Sequence, residues 1–219
     1  MTTRPVSVET YQHFFEAAQP NSENSGWTIL LLHGTGGSER DLVPLGRTLL
    51  PGAAILSPRG QVNEGGALRF FRRHAEGLLD QEDLEARSTE MAAWIKAASS
   101  RYAFDPNRLI AVGFSNGANL AASMLLRGMA VPLMAVLLSP MLPFEPETTP
   151  DLTGRSVFIG AGQADPLVPV AQTKQLEQVL RQAGAAVRIF WVPSGHGITP
   201  EEVRQAQTWL QETVTSAAQ

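Results

Sequence analysis

The stretch Leu109-Ile110-Ala111-Val112-Gly113-Phe114-Ser115-Asn116-Gly117 runs from an unbroken apolar segment into a glycine-flanked serine and then into a segment of helical period, Asn116–Arg127. A short, wholly apolar run of this kind reads as a strand covered on both faces. Strand, tight turn and helix in that order bring the serine hydroxyl to the carboxyl edge of a sheet. Glycines at 113 and 117 let the strand and helix backbones approach closely. In a chain with 19 glycines the G-x-S-x-G pattern is weak by itself, so its surroundings must carry the reading.

Those surroundings repeat the alternation in both directions. Strands are expected at Gln12–Ala17, Thr28–Leu32, Ala53–Ser57, Leu109–Phe114, Leu133–Ser139, Val157–Gly160 and Val187–Val192. Helices are expected at Glu39–Leu50, Gln81–Ser100, Asn116–Arg127, Val170–Ala183 and Pro200–Ala218. Apolar strands interleaved with longer helical segments predict an α/β fold: three layers, with a mostly parallel sheet between helices. Thr199-Pro200-Glu201-Glu202 combines an N-cap, a proline at the first helical position and a glutamate placed for a capping box. Gln19–Gly26 has turn composition, and a hairpin between the first two strands is the expectation there. With 219 residues and 43% apolar composition, one domain over residues 1–219 buries roughly 70–75% of its unfolded surface. That leaves little chain for a cap domain. The one long connection is Pro58–Asp80, and connections of that length are usually functional.

Composition narrows the function. Lys and Arg total 17 against 21 Asp and Glu, a formal charge of -4, which argues against an electrostatic grip on nucleic acid. There is no cysteine, so covalent chemistry must use another nucleophile. The start MTTRPVSVETYQ has no cationic stretch followed by an apolar core, so a cytoplasmic location is expected. The apolar run Ala130 to Leu138 contains Pro132 and falls far short of the roughly 20 residues that span a bilayer. His33 and His196 have no partner at metal-ligand spacing, so neither a metal nor an organic cofactor is expected.

A serine hydroxyl attacks only when a base accepts its proton and an acid orients that base. Where such a serine follows a strand in an α/β sheet, the acid and then the histidine come later in the chain. His13, His33 and His74 precede Ser115, which leaves His196. It lies in Pro193-Ser194-Gly195-His196-Gly197, just past a strand, at the edge where open α/β sheets bind ligands. Asp41, Asp80 and Asp83 come before the serine, and Asp105 and Asp151 lie before strands, at the opposite edge of the sheet. Asp165, in Gly162-Gln163-Ala164-Asp165-Pro166, is at the correct edge; Glu145 and Glu147 are held in reserve. Two backbone amides are expected to face a developing oxyanion. One is that of Asn116, and the other that of Thr35 in Leu32-His33-Gly34-Thr35-Gly36-Gly37, with Gly34 and Gly36 as alternatives.

On these segments, together with Ser57-Pro58-Arg59-Gly60, the chain resembles the carboxylesterase and acyl-protein thioesterase (phospholipase/carboxylesterase) family, a compact branch of the α/β-hydrolase fold. The match runs from about residue 11 to 215. The resemblance implies Ser115 as nucleophile, His196 as general base and then acid, and Asp165 as its orienter. It is also compatible with a homodimer. Thioesterase-type members tend to carry Gln after the serine where this chain has Asn116, which favours a small-molecule carboxylesterase over a protein deacylase. The lack of room for a cap domain implies a shallow pocket, and so short- to medium-chain or aromatic esters. An acyl-thioesterase or lysophospholipase is the alternative, and a non-catalytic binding protein on the same scaffold the next. For the substrate pocket, Arg69-Phe70-Phe71-Arg72-Arg73-His74 offers Phe70 and Phe71 as a wall and Arg72 as an anion-steering group. The alternative there buries the phenylalanines under the loop and pairs the arginines with Glu76, Asp80, Glu82 and Asp83. Met141 and Leu142, after the fifth strand, are further pocket candidates.

Overall fold

The computed structural model describes residues 6–129 and 132–217. The strands are β1 (His13–Glu16), β2 (Thr28–Leu32), β3 (Ala54–Pro58), β4 (Val62–Glu64), β5 (Ala67–Arg69), β6 (Arg73–Ala75), β7 (Leu78–Leu79), β8 (Leu109–Phe114), β9 (Met134–Leu138), β10 (Ser156–Gly162) and β11 (Ala186–Val192). The helices are α1 (Val43–Leu49), α2 (Gln81–Tyr102), α3 (Asn116–Leu126), α4 (Val170–Gln182) and α5 (Pro200–Ala217). Ala218, the expected end of the last helix, lies outside the described residues.

Among the described residues a seven-stranded sheet runs β1-β3-β2-β8-β9-β10-β11. Every pairing in it is parallel except β1 with β3. That edge corrects the expected hairpin: β1 pairs with β3, His13 opposite Pro58, and the turn-rich segment 19–26 carries the chain past β3 to β2. The turn is anchored on the far side of β3 instead, where Gln19 N–H donates to Gly52 O at 2.9 Å and Asn24 Nδ2 to Pro51 O at 2.9 Å.

Alternation along the strands splits the core in two. Leu30, Leu32, Leu56, Ala111, Leu137 and Ile159 face α2, α3 and α4, with Trp94, Leu120 and Leu176 packed against them. Ile29, Leu31, Ile55, Val112, Val136 and Phe158 face α1 and α5, with Leu49 and Trp209. Each fully buried side chain of this size contributes about 2 kcal/mol of transfer free energy. Asp80 caps α2 by accepting from Asp83 N–H at 3.0 Å. Thr199 and Glu202 form the expected capping box at the start of α5, with Thr199 N–H donating to Glu202 Oε2 at 2.9 Å and Glu202 N–H to Thr199 Oγ1 at 3.2 Å. The first expected helix is shorter than its reading: Glu39 does not begin it but bonds Arg59 through both carboxylate oxygens, at 2.5 and 2.9 Å.

The long connection holds two short hairpins, β4 with β5 and β6 with β7. Sheet order then fixes where a ligand can enter. From β2 the chain winds toward β3, whereas from β8 it winds toward β9. Connections that leave neighbouring parallel strands in opposite directions open a crevice at their carboxyl ends, here between residue 33 and residue 115, and the two hairpins form its outer wall.

Candidate active site

Ser115 sits on this crevice in a backbone conformation that side-chain-bearing residues avoid, φ 51° and ψ −111°. The turn is held by Ser115 N–H donating to Leu138 O at 2.9 Å, and by Asn119 N–H donating back to Ser115 O at 2.9 Å. Its flanking glycines have no room for a side chain. A Cβ on Gly113 would lie 2.6 Å from Ala118 N, and one on Gly117 would collide with the Leu32 carbonyl.

From the carboxyl end of β11, His196 reaches back over the crevice. Its Nε2 is 2.8 Å from Ser115 Oγ, and its Nδ1 is 2.7 Å from Asp165 Oδ2. Asp165 follows β10, and its side chain is 2% exposed. Its other oxygen, Oδ1, accepts from Leu167 N–H at 2.8 Å and Val168 N–H at 3.0 Å, so the carboxylate can rotate toward neither solvent nor another partner. Two backbone bonds tie its loop to the histidine strand and loop, Gln163 N–H to Val192 O at 2.8 Å and Ala164 N–H to Ser194 O at 3.0 Å. The Phe114 ring packs on His196 at 5.3 Å between centroids.

Across the crevice, the loop after β2 supplies Thr35. Gly36 N–H is spent on Leu68 O at 2.8 Å and Gly37 N–H on Gly34 O at 3.1 Å, while Thr35 lines the cleft beside Ser115 and Asn116. His33 shapes this loop. Buried to 1% exposure, its Nδ1–H donates to Gly34 O at 2.7 Å, and its Nε2 accepts Gly60 N–H at 2.9 Å. One donor and one acceptor make it a neutral imidazole, in keeping with burial holding its pKa below the ordinary histidine value. Asn116 acts similarly on the other wall, its Oδ1 accepting Phe70 N–H at 2.8 Å and so pinning the hairpin region to the start of α3. In the sequence His33 reads as a histidine on the wrong side of Ser115 to be its base and as one without a metal-ligand partner. Its neighbours Gly34 and Gly60 hint at its role, but the two bonds that define it span separate loops.

The cleft has a volume of about 260 Å³. Its apolar side is made by Leu79, Phe114, Met141, Leu167 and Val168, and its polar rim by Arg69, Arg73 and Glu76. Met141 is therefore at the site, held by its N–H donating to Asn119 Oδ1 at 2.9 Å. Phe70 and Phe71 are not. Their rings are in the core beneath the hairpins, at 1% and 0% exposure, because the irregular link between β5 and β6 turns both consecutive side chains inward, while Arg69 and Arg73 on either side line the cleft. Arg72 also misses it, its half-exposed side chain bonding Asp80 at 3.0 Å and approaching Asp83 at 3.4 Å. Leu142 packs in the core instead. Glu145 and Glu147 line a separate surface depression with Phe144 and Arg127. Among the described residues no three His, Asp or Glu side chains converge so as to hold a metal ion, and no helix is long and apolar enough to cross a membrane.

A mostly parallel sheet wrapped by helices, with the strand–serine–helix turn at its centre, defines an α/β-hydrolase. More narrowly, the chain belongs to the phospholipase/carboxylesterase family, whose model matches residues 15–214. It is similar to the putative hydrolase MhqD of Bacillus subtilis strain 168, at 42% identity over 203 residues that cover 93% of this chain and 99% of that one. It is also similar to the crystal structure of a Bacillus cereus carboxylesterase, 41% identical with a TM-score of 0.89 over 93% of this chain and 94% of the other. Atu2452 of Agrobacterium tumefaciens strain C58, a protein of unknown function, is 41% identical with a TM-score of 0.85 over 95% and 100% of the two chains.

Proposed function

We propose that this hydrolase is a serine carboxylesterase acting on small esters with short to medium or aromatic acyl groups through a covalent acyl-enzyme. The observation that carries the reading is the continuous chain of hydrogen bonds from Ser115 Oγ through His196 to Asp165, at 2.8 and 2.7 Å. Asp165, fixed by two backbone amides, keeps the proton of neutral His196 on Nδ1 and leaves Nε2 free to accept one. Ser115 Oγ attacks the ester carbonyl carbon as its proton passes to His196 Nε2. The tetrahedral oxyanion accepts hydrogen bonds from the amides of Thr35 and Asn116. Collapse breaks the bond to the alcohol oxygen, which takes the proton from His196, and the alcohol leaves. Water then attacks the acyl-enzyme carbonyl, again losing its proton to His196, and the carboxylic acid and free Ser115 are restored.

Cleft size supports small substrates. About 260 Å³ lies just below the roughly 300–1,000 Å³ of sites that enclose drug-sized ligands. The test is an acyl-length series of p-nitrophenyl esters beside matched acyl-thioesters. The expected result is kcat/KM highest at short to medium acyl chains and greater for oxygen esters than for thioesters. A maximum on long-chain lipid esters, or a clear thioester preference, would overturn this substrate range.

A further inference from the structure

We propose that Arg69 makes the cleft selective for small esters that carry a carboxylate, received by its guanidinium beside the oxyanion site. The inference rests on the esterase reading and narrows its substrate class. Arg69 is the buried cation of the cleft, its side chain only 5% exposed. The hydrogen bonds it makes go to neutral oxygens: Nε donates to Phe71 O at 3.2 Å, and Nη1 to Thr35 Oγ1 at 2.6 Å. Among the described residues Nη2 donates to no protein atom, although Arg69 lines the cleft with Ser115.

A guanidinium removed from water ordinarily lies against a carboxylate. The nearest here is Glu64, 3.6 Å from Nη1, beyond hydrogen-bonding distance. That carboxylate already accepts from Arg73 Nε with both oxygens, at 2.9 and 3.1 Å. Arg73 also pairs with Glu76. Arg73 with Glu64 and Glu76 carries one net negative charge, and with Arg69 the four side chains sum to zero. Glu64 is 40% exposed and Glu76 56% exposed, so solvent screens both carboxylates. Arg72 is turned away toward Asp80 and Asp83. What is left at the inner wall is a buried guanidinium whose ion pair with Glu64 is long and carries no hydrogen bond, with Nη2 donating to no protein atom among the described residues, in the cleft it shares with Ser115. Burial lowers the Arg69 pKa from its ordinary value, the response of a cation without a full partner. A carboxylate on the substrate supplies that partner and orients the ester carbonyl between Thr35 and Asn116.

Two matched pairs test this: 4-acetoxybenzoate against its methyl ester, with the charge on the alcohol side, and monoethyl succinate against ethyl butyrate, with the charge on the acyl side. Hydrolysis is followed in a pH-stat, and Ser115 is titrated with a fluorophosphonate. In at least one pair the anionic ester should be favoured in kcat/KM by roughly ten- to a hundredfold, the range of a charge-assisted hydrogen bond. Arg69→Gln should abolish that ratio and Arg69→Lys retain part of it. The proposal is overturned if wild-type protein favours neither anionic ester, or if Arg69→Gln slows both members of a pair equally. A protein that leaves all four esters intact and Ser115 unlabelled would instead overturn the esterase reading, and this one with it.

Discussion

Replacing Asp165 by Asn tests the proposed proton relay without dismantling its surroundings. Asp165 Oδ1 accepts from Leu167 N–H and Val168 N–H, and both bonds survive only if the asparagine oxygen takes the same place. The reverse orientation would set an NH2 group against two N–H donors, with a penalty of about 1–3 kcal/mol for each donor left unmet. The amide nitrogen must therefore point at His196 Nδ1, where Asp165 Oδ2 now stands at 2.7 Å. It can only donate there. His196 Nδ1 becomes an acceptor, the ring proton moves to Nε2, and the nitrogen 2.8 Å from Ser115 Oγ can no longer take the serine proton. The same exchange in serine proteases of unrelated fold lowers kcat about 10⁴-fold, or roughly 5 kcal/mol of barrier. We expect a loss of that order on p-nitrophenyl acetate. Tm should move by no more than about 3 °C, the equivalent of ~1 kcal/mol in a chain of this size. A variant retaining more than a tenth of wild-type kcat would refute the tautomer argument. Loss of activity on replacing Glu145 or Glu147 instead would show that the acid lies elsewhere.

Two further substitutions probe the frame around the site. Gly117→Ala would place its methyl group on the Leu32 carbonyl, backbone against backbone, and should lower the unfolding free energy by about 3 kcal/mol or more. Gly65→Ala, at φ 61° but with open space around it, should cost only about 1 kcal/mol. Similar urea midpoints for the two would discredit the steric account. His33 predicts a pH dependence of stability. Burial holds its folded pKa below the ordinary value of 6.5, so in that window the unfolded chain binds a proton that the folded chain refuses. Its contribution is intact above about pH 6.5 and is lost as pH falls toward the folded value. Urea midpoints measured from pH 7.5 down to 5 should fall more steeply for wild-type protein than for His33→Leu, which lacks this titration. Parallel curves would contradict the assignment of His33 as the neutral pin of the Thr35 loop.

The inner strands β2, β3, β8, β9 and β10 were legible as apolar runs covered on both faces, whereas the edge strands β1 and β11 are only partly buried. The convergence of Ser115, Asp165 and His196 followed from chain order and sheet edge. What escaped has a common cause. The hairpins of residues 62–79 use strands of two or three residues, too short for side-chain alternation to register, so the inward turn of Phe70 and the cleftward turn of Arg69 had no periodic signal. The partner of β1 was equally hidden. Turn-forming composition in 19–26 says that the chain reverses, and only the position of β3 decides that the reversal skips a strand. His33 and Asn116 work through bonds to Gly60 and Phe70, contacts that exist only once separate loops meet.

The central claim is that Ser115 is a nucleophile activated by His196. Mass spectrometry after treating folded protein with a fluorophosphonate measures this directly. The account predicts one adduct per chain, on Ser115, with no comparable labelling of His196→Ala under the same conditions. Folded protein that stays unlabelled, or that carries the adduct on another residue, would contradict it.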